Sequence, residues 1–161
     1  EVTKPIYRNG TIGNAKKDLE ATAKKLDDQL AATLGGSAFT SVNKALVTRA
    51  AAVIPAISLY ISILFKVMKD MNLHEGCIEQ MDRFFRGLYG GKLTIDEENR
   101  VRMDDWEMRD DVQAAVAEIW QKANDDNIEQ LSDISGYHAD FMNMHGFEVA
   151  GVDYSADVET V

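Results

Sequence analysis

Several features of common protein classes are missing from this sequence. Cys77 is the only cysteine among its 161 residues, so an intrachain disulfide is impossible and an oxidising compartment is not implied. The three histidines have no metal-ligand spacing and no cysteine pair beside them. No glycine-rich dinucleotide loop occurs in residues 1–161. We therefore expect a cytoplasmic protein that has neither a metal site nor a phosphate-binding loop of its own.

Long apolar runs and a surplus of positive charge are also missing. The longest apolar run, residues 50–65, is interrupted by Pro55 and Ser58 and is shorter than the ~20 residues that span a bilayer, so it predicts a buried helix. The net charge of −10 repels phosphate backbones and anionic membranes, and we expect no nucleic-acid partner and no membrane span. The chain begins with Glu1 and shows no signal-peptide pattern, so we expect it to be part of a longer protein.

Hydrophobic periodicity predicts a mainly helical chain with one or two short strands. The predicted helices cover residues 11–34, about 56–71, 74–88, 106–123 and 134–144. A short strand is predicted over 37–42, where β-forming residues alternate, and a surface hairpin over 92–105 around the loop 96–99. An apolar content of 45% is enough for one hydrophobic core, so one compact unit is expected.

The same patterns predict the surroundings of individual side chains. Cys77 is expected to be buried in helix 74–88, and Glu75 to stabilise the positive end of that helix. Asp104 and Asp105 are expected to be solvated at the start of the next helix. In the isolated chain, helix 56–71 is expected to leave one apolar side exposed, and such a patch invites dimerisation or aggregation unless the rest of the longer protein is present.

Tyr7 and Lys16 are the candidate catalytic pair. A phenol can protonate an oxyanion, and a nearby ammonium can lower the phenol's pKa from ~10 towards neutrality. On a continuous helix, positions nine apart lie on opposite faces and ~13 Å apart along the axis, so these side chains could not converge. If they cooperate, Tyr7 must lie on a turn before the helix, which Gly10 and Gly13 permit. Spacing alone leaves ordinary packing open for both residues.

Sequence blocks spread over almost the whole chain carry a family resemblance. They are Pro5 to Gly13, Ala15-Lys16, Lys44 to Pro55, His74-Glu75-Gly76, Glu79-Gln80, Asn99 to Arg102, Asp104 to Glu107, Asp111-Val112, Gly146-Phe147 and Asp153-Tyr154. In these blocks the chain resembles the C-terminal portion of the trans-2-enoyl-CoA reductase family, which includes enoyl-ACP reductases. The resemblance implies NADH-dependent reduction of the C2–C3 double bond of trans-2-enoyl thioesters in fatty-acid synthesis.

The resemblance also implies roles for individual residues. Tyr7 would be the proton donor to the enolate or its carbonyl. Lys16 would support Tyr7 and contact the nicotinamide ribose. Leu46, Val47 and Thr48 would lie along the nicotinamide, with Thr48 as the expected side-chain contact.

By the same resemblance, the apolar helix after Pro55 would wall the acyl-chain pocket. Ile54, Ile57 and Tyr60 are the expected lining residues, and plain core packing is the other interpretation of all three. The C-terminal block has been associated with flavin binding, but the sequence has no glycine-rich phosphate cradle, so we do not expect bound FAD.

Two positions depart from the family pattern. Asn14 stands where a basic residue is often found, which would weaken a phosphate contact but leaves the tyrosine–lysine pair intact. His145 precedes Gly146 where an aromatic residue is usual.

The resemblance implies that the parent fold is a Rossmann-like α/β fold of the short-chain reductase type. The dinucleotide-binding part would then lie upstream in the same polypeptide, and residues 1–161 would be its C-terminal catalytic and substrate-binding portion, inactive alone. The expected partners are that upstream part and an enoyl-CoA or enoyl-ACP substrate. One alternative is a non-catalytic acidic helical interaction module that docks through helix 56–71. Another is a flavin-binding domain.

Overall fold

Helices make up most of the part of the chain that the computed structural model describes, residues 9–54, 56–157 and 159. The helices are α1 (Thr11–Leu34), α2 (Arg49–Ala52), α3 (Ile57–Asp70), α4 (Cys77–Tyr89), α5 (Asp110–Lys122), α6 (Ile128–Leu131) and α7 (Ile134–Met144). The strands are β1 (Thr40–Val42) and β2 (Arg100–Arg102). The prediction of a mainly helical chain with short strands is confirmed.

Helix α3 forms the centre of the hydrophobic core. Ile61, Leu64 and Phe65 are at most 1% exposed, and both α5 and α7 pack against this helix. Val112 and Val116 of α5 complete the core from their side. The prediction that this helix leaves an apolar side exposed is therefore wrong, because two neighbouring helices already cover it.

Helix α1 spans the predicted residues and ends where glycine permits it. Gly35 adopts a left-handed conformation with φ of 64°, and its N–H donates to the carbonyl of Leu30. Leu19 and Leu26 remain 55% and 48% exposed, although α1 lies against β1. The apolar side of α1 is thus only partly covered by the residues that the structure describes.

The two strands form a parallel pair. Thr40 aligns with Arg100 and Val42 with Arg102. The predicted hairpin over 92–105 is reduced to one antiparallel bridge between Ile95 and Val101. A single sequence stretch cannot reveal that β2 pairs with a strand about 60 residues earlier, and this long-range pairing replaces the expected local one.

Two helix starts differ from the predictions. Helix α5 begins at Asp110 rather than Trp106, because residues 104–108 form turns in which Asp104 and Glu107 are buried. The prediction that Asp104 is solvated is wrong, since its carboxylate accepts from Arg102 at 2.7 Å and lies inside the protein. Asp105 is exposed, as predicted.

The start of α4 also corrects two predictions. Cys77 is the first residue of this helix and is exposed, not buried. Glu75 does not serve the helix end, because it is buried and paired with Arg83 at 2.8 Å. Glu79 takes that role instead, and its carboxylate accepts from the backbone N–H of Gly76 at 3.0 Å.

None of the described helices combines the length and the apolar composition that crossing a bilayer requires.

Candidate active site

The segment from Lys44 to Thr48 connects β1 to α2 and contains three of the predicted cofactor-binding residues. Val47 packs against the core, and Leu46 is half-buried beside it. Thr48 is exposed, and its Oγ1 accepts from the N–H of Ala51 at 3.0 Å, which caps α2. We call Leu46, Val47 and Thr48 the 46–48 turn.

The 46–48 turn has backbone N–H groups that are available for hydrogen bonding. Within the described part of the chain, no group accepts from the N–H groups of Leu46, Val47 and Thr48. Backbone donors are normally paired with protein or water, so these three can serve a ligand. The carbonyl oxygen of a ligand carboxamide is an acceptor that matches such N–H groups.

Lys44 anchors the residues before the turn. It is 3% exposed, its Nζ donates to the carbonyl of Ala45 at 3.1 Å, and it lies 4.5 Å from the ring centroid of Phe65. Burial lowers the pKa of Lys44 to about 8, although the negative charge of Glu107 opposes this shift. The ammonium is therefore held by a carbonyl and an aromatic face rather than by water.

Glu107 is a buried carboxylate that the sequence did not mark as functional. Its Oε1 accepts from the hydroxyl of Tyr60 at 2.6 Å, and its Oε2 accepts from the N–H of Ala45 at 2.7 Å. Burial raises the pKa of Glu107, and burial beside this carboxylate raises the pKa of Tyr60. Glu107 belongs to the Asp104–Glu107 block of the resemblance, but in an acid-rich stretch nothing distinguishes it from a solvated residue.

Of the predicted catalytic pair, Tyr7 and Lys16, the structure describes only Lys16. Tyr7 lies outside the described residues. Lys16 is an exposed residue in the second turn of α1, the helix that contacts β1. The cooperation of Tyr7 with Lys16 stays a prediction.

The three expected acyl-pocket residues lie in or against the core. Ile57 and Tyr60 are 7% and 6% exposed, and Ile54 packs against the same cluster. The hydroxyl of Tyr60 is engaged by Glu107 and by Gln113 at 3.2 Å. Contact between these three residues and an acyl chain stays a prediction.

His74 lies beside the same part of the core. Its ring meets Phe65 edge-on with the centroids 4.5 Å apart, and its buried Nδ1 has no hydrogen-bond partner among the described residues. Burial, with help from the positive charges of Lys44 and Lys69, lowers the pKa of His74 from 6.5 to about 4. The imidazole is therefore neutral in the folded protein at neutral pH.

This lowered pKa predicts a loss of stability in mild acid. The unfolded chain binds the proton at a higher pH than the folded chain does, so the contribution of His74 is complete above pH 6.5 and declines as the pH falls towards about 4. We expect His74→Gln to flatten the pH dependence of the free energy of unfolding between pH ~6.5 and ~5, measured by urea titration. His138→Gln, at an exposed position, is the control. An unchanged slope in His74→Gln would contradict the assignment.

Negative charge is concentrated in residues 95–158. This segment holds 17 acidic and four basic side chains, whereas residues 1–94 hold nine acidic and 13 basic ones. All four basic side chains of the segment are ion-paired: Arg100 with Asp96 and Glu98, Arg102 with Asp104, Arg109 with Asp111, and Lys122 with Glu118. The segment thus presents no unpaired cation to an anionic ligand.

Two family models match consecutive parts of the chain. The model of the trans-2-enoyl-CoA reductase catalytic region matches residues 1–89, and the model of the enoyl reductase FAD binding domain matches residues 95–158. The first match includes the 46–48 turn, and the second includes Glu107.

Curated relatives and a solved structure point to the same family as the model of the catalytic region. The chain is 54% identical over 161 residues to the trans-2-enoyl-CoA reductase [NADH] of Brachyspira hyodysenteriae, covering 99% of this chain and 41% of that protein. It is 54% identical over 163 residues to the enoyl-[acyl-carrier-protein] reductase [NADH] of Flavobacterium johnsoniae, covering 100% and 41%. It superposes on the Clostridium acetobutulicum trans-2-enoyl-CoA reductase solved in complex with NAD with a TM-score of 0.93 and 52% identity, covering 98% and 41%.

The described residues of 95–157 do not fit the pyrophosphate of FAD. Phosphates are usually bound by helix N-termini, glycine-rich loops and free cations. Here the first turn of α5 carries Asp110 and Asp111, and the carboxylate of Asp133 already accepts from Gly136 at the start of α7. A phosphate at either helix end would meet a carboxylate, and the basic side chains of the segment are already paired.

The chain spans about 41% of the length of the relatives that it matches. Its placement at the C-terminal end of a longer protein stays a prediction, since the extent of an overlap does not fix its position. The first family model covers more than half of the chain, and the solved relative shares its fold closely. The chain therefore belongs to the trans-2-enoyl-CoA reductase family.

Proposed function

We propose that the chain is part of an enzyme that reduces the C2–C3 double bond of trans-2-enoyl thioesters with NADH. The observation that carries this proposal is the close likeness to a trans-2-enoyl-CoA reductase solved in complex with NAD, at a TM-score of 0.93. The 46–48 turn supports it, because its unpaired backbone N–H groups suit the carboxamide of a nicotinamide. The thioester carrier is coenzyme A or acyl carrier protein, and the reaction serves fatty-acid synthesis.

The chemistry assigns one task to each residue of the proposed site. NADH, when bound, supplies a hydride to the β-carbon of the enoyl thioester. Tyr7 donates the proton that the resulting enolate requires, and Lys16 stabilises the phenolate that this transfer leaves behind. The 46–48 turn orients the nicotinamide through its backbone and through Thr48.

The open edge of β1 supports a larger α/β sheet of the Rossmann-like type. In the described part of the chain β1 pairs only with β2, and parallel sheets of two strands are rarely stable alone. A groove of about 500 Å³ lies between α1 and β1 and is lined by Leu19, Leu26 and Phe39 among others. We propose that the remainder of the longer polypeptide adds its strands here.

The alternative of a docking module finds no support in the fold. Its proposed docking helix corresponds to α3, whose residues from Tyr60 to Phe65 are all buried. A helix that already forms the core of its own chain is not available to a partner.

The proposal is tested with the full-length protein that contains this chain. We expect crotonyl-CoA to accelerate the oxidation of NADH, followed by the loss of NADH absorbance, and butyryl-CoA to have no effect because it lacks the double bond. The chain of 161 residues alone is expected to show no activity above background. NADH oxidation by the full-length protein that is independent of an enoyl thioester would overturn the proposal.

A further inference from the structure

The residues just before the 46–48 turn are held by side chains from two distant parts of the sequence. The N–H of Lys44 donates to Oε1 of Gln80 at 2.9 Å, and the N–H of Ala45 donates to Oε2 of Glu107 at 2.7 Å. Gln80 is 0% exposed and Glu107 is 6% exposed. Two consecutive backbone N–H groups of an irregular segment are therefore fixed from the protein interior.

The peptide groups of Ala45 are held on both sides by buried charged side chains. Glu107 accepts from its N–H, and Lys44 donates to its carbonyl at 3.1 Å. Hydrogen bonds to ionised groups are about twice as strong as those between neutral groups. The position of Ala45 determines where the next three N–H groups point, because they follow it directly along the chain.

The carboxylate of Glu107 is itself fixed in orientation. Its second oxygen accepts from Tyr60 at 2.6 Å, and Gln113 donates both to the Tyr60 hydroxyl at 3.2 Å and to the carbonyl of Glu107 at 2.9 Å. Both oxygens of Glu107 act as acceptors, which a carboxylate can do and an amide cannot.

The loop that carries Glu107 is tied to α4. Arg83 donates to the carbonyl of Met103 at 2.9 Å, pairs with Glu75 and Asp105, and lies 4.5 Å from the ring centroid of Trp106. The segment matched by the FAD-binding model thus contributes a carboxylate to the segment that precedes the 46–48 turn, rather than a phosphate site.

We infer that Glu107 is a positioning residue for the proposed reduction: its carboxylate fixes Ala45 and thereby aims the backbone N–H groups of the 46–48 turn at the carboxamide of the nicotinamide. This inference rests on the proposed function. Glu107 does not contact the reacting atoms. Its contribution is to the affinity for NADH, while proton transfer is left to Tyr7.

The test compares Glu107→Ala and Glu107→Gln in the full-length protein. We expect Glu107→Ala to raise the Kd for NADH about tenfold or more, because the N–H of Ala45 loses its acceptor. Glu107→Gln, which keeps one acceptor oxygen, is expected to raise it only about threefold. The kcat at saturating NADH and the KM for crotonyl-CoA should stay within about twofold. Glu118→Gln, the same change at an exposed residue of α5, is the control and should leave the Kd unchanged.

A merely structural role would give a different pattern. It would lower the midpoint of thermal unfolding and the fraction of active protein while leaving the Kd for NADH unchanged, and that result would overturn the inference. If the Glu107 variants fail to fold, Tyr60→Phe still tests it, because loss of the hydroxyl frees the carboxylate and should raise the Kd for NADH about two- to fivefold. An unchanged Kd in Tyr60→Phe would then overturn it.

Direct binding separates this inference from the proposed function. If the wild-type protein binds NADH but reduces neither crotonyl-CoA nor the crotonyl thioester of acyl carrier protein, the proposed function fails, and the Kd values of the variants still decide the role of Glu107. If the wild-type protein does not bind NADH, both proposals fall.

Discussion

Replacement of Tyr7 by phenylalanine in the full-length protein is expected to lower kcat for crotonyl-CoA by about 10²- to 10⁴-fold. A positioned general acid contributes a factor of this size, and phenylalanine keeps the ring while removing the only proton that the side chain can donate. The Kd for NADH should change little, because the proposed function assigns the orientation of the nicotinamide to the 46–48 turn and not to the phenol. Steady-state rates at saturating NADH and crotonyl-CoA measure the effect.

Tyr89→Phe provides the matched control for this substitution. Tyr89 ends α4 and is 85% exposed, so loss of its hydroxyl should leave kcat within about twofold of the wild-type value. If Tyr7→Phe retains wild-type kcat, the enolate is protonated by another group and the role proposed for Tyr7 is wrong.

Replacement of Phe65 by alanine is expected to lower the free energy of unfolding by about 3–5 kcal/mol. Phe65 is fully buried in α3, and large-to-small changes in a core lose both the burial of the ring and the packing around the cavity that remains. The ring also carries the edge contact of His74 and faces the ammonium of Lys44 at 4.5 Å, and both groups would lose this partner. Thermal or urea unfolding of the full-length variant measures the loss.

Phe147→Ala removes the same side chain from an exposed position. Phe147 is 55% exposed in the segment after α7, so we expect a loss below about 1 kcal/mol. Equal losses at the two positions would mean that α3 is not the centre of the core.

Sequence signals predicted those helices whose bounds are determined by residues within or next to the helix. Helix α1 extends over the predicted residues because its apolar period is regular and Gly35 accepts the left-handed conformation that ends it. Helix α7 likewise matches its prediction from Ile134 to Met144. In both cases the information lies within a few residues of the feature that it determines.

Features decided by distant contacts could not be predicted from these signals. The start of α5 moved from Trp106 to Asp110 because the preceding turns make distant contacts: Glu107 accepts from Ala45, and the N–H of Asp104 donates to the carbonyl of Val42. The parallel pairing of β2 with β1 overrode the local tendency to form a hairpin. Periodicity records which side of an element is apolar, but it carries no information about which remote group approaches.

The candidate site also combines features that the sequence predicts with features that only the fold shows. The family resemblance supplied Leu46, Val47 and Thr48, and the fold adds that Gln80 and Glu107 hold the two residues that precede them. A glutamate in an acidic stretch gives no sign of burial, so the burial of Glu107 and its contact with Ala45 emerge only from the fold. For the residues expected to line the acyl pocket, the sequence cannot decide between two interpretations. The same types of apolar residue pack in a core and line a pocket.

The arrangement of Tyr7 and Lys16 around the nicotinamide is tested most directly by a crystal structure of the full-length protein with NADH and an unreactive acyl-CoA. The account predicts the Tyr7 hydroxyl within about 2.6–3.2 Å of the thioester carbonyl oxygen, or joined to it by one water. It also predicts Lys16 beside the same hydroxyl and the carboxamide of the cofactor on the N–H groups of the 46–48 turn. Tyr7 and Lys16 pointing apart, with NADH bound away from that turn, would contradict it.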